Sequence, residues 1–282
     1  MEEYRYEPGP DQRASMNGVA KPVADAHIKK EKVEKVSGEV SYPKIFAWLG
    51  LGLLITGAIA LGIPYIFMAM TKGFTENIEA MMSIYIALFI VSLVLMLPSA
   101  IMIGFNVGSR NSTLMKVGYF VYVIGMGLLI STLFVNVYLF TYDSESSTAA
   151  LNPQFLSTIS LSFLITAGCF LLMGLIGHFT KHMNAAIPVV MTAAIGVVIM
   201  SIVNVFLRVE MLYWIIDFVI FGVILLVTAI DMHNIRKICE RSKGMNGTNL
   251  AIYCAYSLYV DFINILIRVI YYVMIFTNKS KN

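Results

Sequence analysis

The stretch "SLYVDFINILIRVIYYVMIF", residues 257–276, is twenty residues of mostly apolar chain that also holds Asp261, Asn264 and Arg268. About twenty such residues cross the hydrocarbon core of a bilayer as an α-helix. A charge at the centre of that core costs about 3 kcal/mol on insertion scales. Read at 3.6 residues per turn, Cys254, Ser257, Asp261, Asn264, Arg268 and Tyr271 recur at steps of three or four and share one face, while Ile, Leu, Val and Phe fill the others. The stretch therefore reads as a membrane helix whose polar stripe turns toward protein or water, because lipid leaves such groups unsatisfied. Asp261 and Arg268 are two turns apart, about 10 Å of rise, so each requires a partner other than the other.

The rest of the chain agrees with a membrane setting. Its 282 residues are 58% hydrophobic and 13% charged, with mean hydropathy +0.77, against roughly a quarter charged in soluble domains. Seven segments are long and apolar enough to span: 45–70, 82–105, 115–140, 155–178, 186–207, 212–231 and 250–276. The expectation is an all-α integral membrane protein of seven transmembrane helices occupying 45–276. Residues 1–44, with eight Lys/Arg and eight Asp/Glu and little apolar periodicity, read as a mobile polar tail; 277–282 is a short C-terminal tail. Small residues in "GLGLLITGAIALG" (50–62) and "GCFLLMGLIG" (168–177) permit close helix packing. The net charge of +3 and the lack of a basic run beyond the tail give no reason to expect nucleic acid. Cys169, Cys239 and Cys254 lack metal-ligand spacing and read as free thiols.

Orientation follows the distribution of Lys and Arg. With the N-terminus cytoplasmic, that side receives the tail's eight plus Arg110, Lys116, Lys181, Arg236, Lys237, Arg241 and Lys243, fifteen in all. The other side receives Lys72, Arg208, Lys279 and Lys281, four in all, and the loop 141–154 has none. The expectation is an N-terminus inside and, after seven spans, a C-terminus outside.

The sixth span, "YWIIDFVIFGVILLVTAIDMHNIRK" (213–237), carries Asp217 toward its outer half and Asp231 at its inner end, with Thr228 nearby. The two acids are fourteen residues apart, close to four turns, and lie on one face. Spans six and seven are antiparallel across the short basic loop 232–249, so Asp231 and Asp261 both fall in the inner half. Two carboxylates in a poorly hydrated site do not both ionise readily, so one proton is shared and the pair forms a proton switch. For Asp231 alone, a simple helix end at the interface explains an aspartate equally well.

These residues resemble those of the transmembrane Bax inhibitor motif family, in its bacterial branch, over 45–276. The matching stretches are "GLGLLITGAIA" (50–60), "FLSTISLSFLITAGCFLLMGLIGHFTKHMNAA" (155–186), "IVNVFL" (202–207), "FGVILLVTAIDMHNIRKI" (221–238) and "LYVDFINILIRVI" (258–270). The resemblance implies six helices around a central seventh and a pH-sensitive calcium leak. It also implies that Asp231 and Asp261 form a pH sensor holding the cytoplasmic gate through a shared proton. The chain departs from the family pattern at three places. Met232 and His233 follow the sixth-helix aspartate where Thr-Gln is usual. Tyr271 stands where an arginine often lies, with Arg268 three residues earlier. The second span has no acidic residue, which leaves Asp217 as the candidate counter-ion of Arg268.

Other signals are weaker. His178 and His182 have the i, i+4 spacing of a metal pair but no third ligand nearby, and read as interfacial histidines. No HExxH occurs, no GxGD or GxSxG stands in a span, and the last span has no lysine for a Schiff base; the expectation is a protein that is not an enzyme and needs no cofactor. The leading function is a proton-gated calcium leak in a bacterial cell membrane. Asp231 and Asp261 are its sensor, and Asp217, Arg268, Asn264, Ser257 and Thr228 its pore or network. Hard oxygen donors suit Ca²⁺ as cargo passing near the two aspartates, and no residue is assigned as a metal ligand. The alternatives are a regulator that binds other membrane proteins, such as a quality-control protease, and a proton-coupled cation transporter.

Overall fold

The computed structural model of the chain describes residues 40–71, 78–109, 112–141, 153–181, 183–241 and 247–279. Most of the expected polar tail, and His182, lie outside the described residues. Those described form seven α-helices: α1 (Tyr42–Thr71), α2 (Ile78–Asn106), α3 (Ser112–Thr141), α4 (Pro153–Phe179), α5 (Ala186–Leu207), α6 (Glu210–Arg241) and α7 (Gly247–Lys279). One 3-10 turn, Met183–Ala185, joins α4 to α5. All seven helices are long and apolar enough to cross a membrane, and the chain is an integral membrane protein. Pro64 and Pro98 are accommodated inside α1 and α2, as membrane helices allow.

All the helices except α5 outrun the apolar runs that announce them, and α6 does so most. Expected to end near Asp231, it continues ten residues further, to Arg241. Ile235 of this extension is buried, so packing carries the helix past the apolar run. The join from α5 to α6 is tight. Arg208 adopts the left-handed conformation (φ 51°, ψ 41°) and its N–H donates to the Asn204 carbonyl, while Asn204 Oδ1 accepts the Val209 N–H at 3.1 Å. These bonds satisfy groups that a helix end leaves open.

Helix α7 packs against α1, α2, α3, α4 and α6. Its buried residues, among them Ile252, Ala255, Leu258, Tyr259, Ile263, Ile265, Leu266 and Ile270, form one broad arc of the helix, opposite the exposed Tyr253 and Asn264. On the α1–α3 side an aromatic cluster fixes it. Tyr119 O–H donates to the Trp48 carbonyl at 2.7 Å, Tyr259 and Thr56 hydroxyls are hydrogen-bonded, and Tyr122 meets Tyr256 edge-on at 4.8 Å. On the other side α4 lies close to α6: a Cβ placed on Gly177 would fall 2.9 Å from the Ala229 carbonyl carbon and nearer still to its oxygen. Helix α5 differs from the rest, since it packs on α6 and buries only Val190.

One end of the bundle is tied by polar contacts between helix termini. Asn249, buried at the start of α7, donates from Nδ2 to the Asn106 carbonyl at 3.2 Å and the Ser109 carbonyl at 2.8 Å. Arg236 donates to the His178 carbonyl at the end of α4, and Lys237 to Asn184 Oδ1 at 2.9 Å. Lys44, Lys116, Lys181, Arg236 and Lys237 belong to this end by their place on the alternating helices, which is therefore the basic one.

Candidate functional site

Helices α6 and α7 run antiparallel and are joined by polar side chains at two depths, marked on α6 by Asp217 and Asp231. Fourteen residues separate these acids, about 21 Å along the helix. That distance places one junction toward each side of the apolar core.

At the junction farther from the basic end, Asp217 is buried and forms an ion pair with Arg268. Tyr272 donates its O–H to Asp217 Oδ2 at 2.7 Å. Phe221, one turn along α6, meets the Tyr272 ring edge-on at 5.6 Å and holds it against the acid. Both carboxylate oxygens are thus engaged by charge-assisted bonds, the stronger kind. The Arg268 side chain stays 30% exposed and borders a cavity of about 360 Å³, together with Ser201 and Asn204 of α5 and Tyr213 of α6. Asp217 is therefore the counter-ion of Arg268. Tyr272, which completes the junction, lies outside the polar stripe of Cys254, Ser257, Asp261, Asn264, Arg268 and Tyr271. Its signal was the i, i+4 spacing from Arg268, which puts both on one stretch of helix face.

At the other junction, Ser257 donates its hydroxyl to Asp231 Oδ2. Asp261 sits one turn along α7, 5% exposed, and its Oδ2 has no hydrogen-bond partner. Leaving a buried carboxyl oxygen unsatisfied costs about 1–3 kcal/mol or more. No hydrogen bond joins the Asp231 and Asp261 carboxyls. The register explains this. Asp231 lies level with Ser257, so Asp261 is displaced from it by four residues, about 6 Å of rise. The expected direct bond through a shared proton is thus replaced here by a hydroxyl held to one acid, with the second acid a turn away. The surroundings are apolar: Phe262, beside Asp261, packs on Phe163 and Phe170 of α4 with ring centroids 5.4 and 5.5 Å apart.

The other residues of the predicted network lie elsewhere. Thr228 is buried and returns its hydroxyl to the Ile224 carbonyl at 3.0 Å, one turn back on its own helix. Asn264, expected to face inward with the stripe, is exposed. The stripe is wider than the buried arc of α7, and Asn264 falls beyond its edge. His178 is engaged through its carbonyl by Arg236 and through its ring by Tyr42, at 5.8 Å. His233, two residues after Asp231, is buried beside the Gly177 and Thr180 backbone and packs α6 onto α4. Among the described residues, no group of three or more His, Cys, Asp or Glu is placed to hold a metal ion. None of the three cysteines is in a disulfide.

Comparison with known proteins places this arrangement in a family. The model of the family described as inhibitor of apoptosis-promoting Bax1 matches residues 40–278. The inner membrane protein YbhL of Escherichia coli K12 is 29% identical over 233 residues, covering 80% of this chain and 88% of that protein. An uncharacterized membrane protein of Streptococcus pyogenes serotype M3, SpyM3_0260, is 32% identical over 115 residues, covering 40% of this chain and 50% of its own length. No solved structure matches the chain.

Proposed function

The chain belongs to the Bax inhibitor-like family of membrane proteins, and from that premise we propose that it is a pH-sensitive calcium leak gated by Asp231 and Asp261. The observation that carries the reading is Asp261: a buried carboxyl in mid-span, with one oxygen unpartnered, one turn from the serine that holds a second carboxyl. A bilayer-embedded acid that merely held helices together would be fully bonded, as Asp217 is. An acid left with an open oxygen is free to change its proton occupancy and its partner.

In this reading the protonated pair lets α6 and α7 pack at the basic end, which the excess of Lys and Arg assigns to the cytoplasm. Loss of the proton places a second negative charge in an apolar site, and like charges at close range repel. The helices respond by parting, and Ca²⁺ passes as cargo along the carboxylate and carbonyl oxygens. The ion pair of Asp217 with Arg268 stays closed beneath the outer surface and holds the helices at that depth. No resident cofactor and no enzymatic step enter this account, and protons and Ca²⁺ are the only ligands it uses.

The test is calcium flux into vesicles containing the purified full chain, measured across a range of pH. Wild type gives a pH-dependent leak down the calcium gradient. Asp261→Asn and Asp231→Asn, whose amides cannot ionise, each flatten the pH profile. Saturable exchange coupled to protons would replace the leak by a transporter, and absence of flux at every pH would leave the chain as a regulator of other membrane proteins.

A further inference from the structure

We propose that the Ser257 hydroxyl is the positioning group that couples the two carboxyls, bridging Asp231 on α6 to Asp261 on its own helix. The inference rests on the reading of these acids as a proton pair and adds the route by which they communicate.

Four observations carry it. Ser257 O–H donates to Asp231 Oδ2 across the α6–α7 contact. Asp261 lies four residues later on α7, hence on the same face. Helical side chains lean toward the N-terminus and cover the preceding turn, so the Asp261 carboxyl leans over the turn that holds Ser257. Finally, Asp261 Oδ2 is buried without a partner. A serine hydroxyl has one donor and two acceptor lone pairs. While the donor is spent on Asp231, the lone pairs remain for a protonated Asp261 to donate to.

The bridge also moves the proton without a net loss. The Asp261 O–H bond breaks as its proton bonds to Ser257 Oγ, and the Ser257 O–H bond breaks as its proton bonds to Asp231 Oδ2. The hydroxyl is regenerated, Asp261 becomes the anion and Asp231 the acid. The titratable side chains that face this site are Asp231 from α6, and Asp261 and Cys254 from α7.

The experiment is an infrared titration of the protonated carboxyl band in the full chain reconstituted in vesicles, alongside calcium flux on the same samples. Loss of a hydrogen bond to a charged group corresponds to a midpoint shift of about one to two pH units. Ser257→Ala is therefore expected to move the carboxyl titration by about that much and to shift the pH profile of flux with it. Ser257→Thr, which keeps a hydroxyl, restores the wild-type titration. Ser257→Cys, isosteric and a weaker donor, falls between them, and this pair decides the matter if the alanine variant does not fold. A carboxyl titration in Ser257→Ala identical to wild type overturns the proposal, whatever the flux shows. A wild type without flux, whose carboxyl titration still moves in Ser257→Ala, overturns the leak and leaves the bridge standing.

Discussion

Gly177→Ala tests the close approach of α4 to α6 directly. The new Cβ would lie 2.9 Å from the Ala229 carbonyl carbon and 3.1 Å from its Cα, where ordinary contact begins at 3.4 Å. The carbon contact alone asks for a separation of about 0.5 Å, and the carbonyl oxygen for more. The obstacle is backbone, so no side chain can rotate away, and the whole of α6 at this level has to retreat. Overpacking of this kind costs about 1–3 kcal/mol, and a rigid neighbour puts the value toward the upper end. Alanine also favours the helix over glycine by about 1 kcal/mol, which partly masks the steric cost. Gly174→Ala, three residues earlier in the same helix with nothing within 4 Å of its Cβ, supplies the control. The difference between the two variants isolates the contact and is expected to be about 2–3 kcal/mol. In thermal unfolding of the detergent-solubilised chain that corresponds to a gap on the order of 5–10 °C. Equal midpoints for the two variants would show that α4 and α6 are not packed backbone to backbone here.

Two further outcomes follow from the polar contacts. Tyr272→Phe removes the 2.7 Å bond to buried Asp217, worth about 1.5–3 kcal/mol for a charged acceptor. Combined with Asp217→Asn in a double-mutant cycle of thermal stability, the two losses should not add; strict additivity would break the junction as drawn. Asn249→Ala removes one donor each from the Asn106 and Ser109 carbonyls, at a cost of about 0.5–1.5 kcal/mol per bond. Hydrogen exchange should rise at the end of α2 and the start of α7, and unchanged protection at both would refute the tie.

Much of this architecture is legible in the residue order because lipid imposes a strict length on apolar runs. The limits of α5 emerge unchanged, since at both ends the apolar run and the helix stop together. Those of α6 do not, because hydropathy measures the depth of lipid, whereas a helix continues wherever packing such as that of Ile235 sustains it. Helical periodicity placed Asp261 and Arg268 on the stripe, and the cost of an unpaired charge led to Asp217. Periodicity alone does not set the width of the buried arc, so Asn264 was drawn inward when it is exposed. Nor does it show where a hydroxyl is spent: Thr228 bonds its own backbone, while Ser257 reaches across to Asp231. That difference depends on the relative stagger of α6 and α7, a tertiary quantity with no one-dimensional signature.

The short join between α5 and α6 has a mechanical consequence. With only Arg208 and Val209 between the two helices, and Asn204 holding both backbone amides, there is no slack to absorb relative motion. Helix α5 has little protein around it beyond α6, so its apolar sides meet lipid. Any tilt of α6 at the carboxyl pair then sweeps α5 through the acyl chains like an oar. In the proposed leak, the work of that stroke depends on bilayer thickness and lateral pressure, so the lipid itself would enter the opening equilibrium.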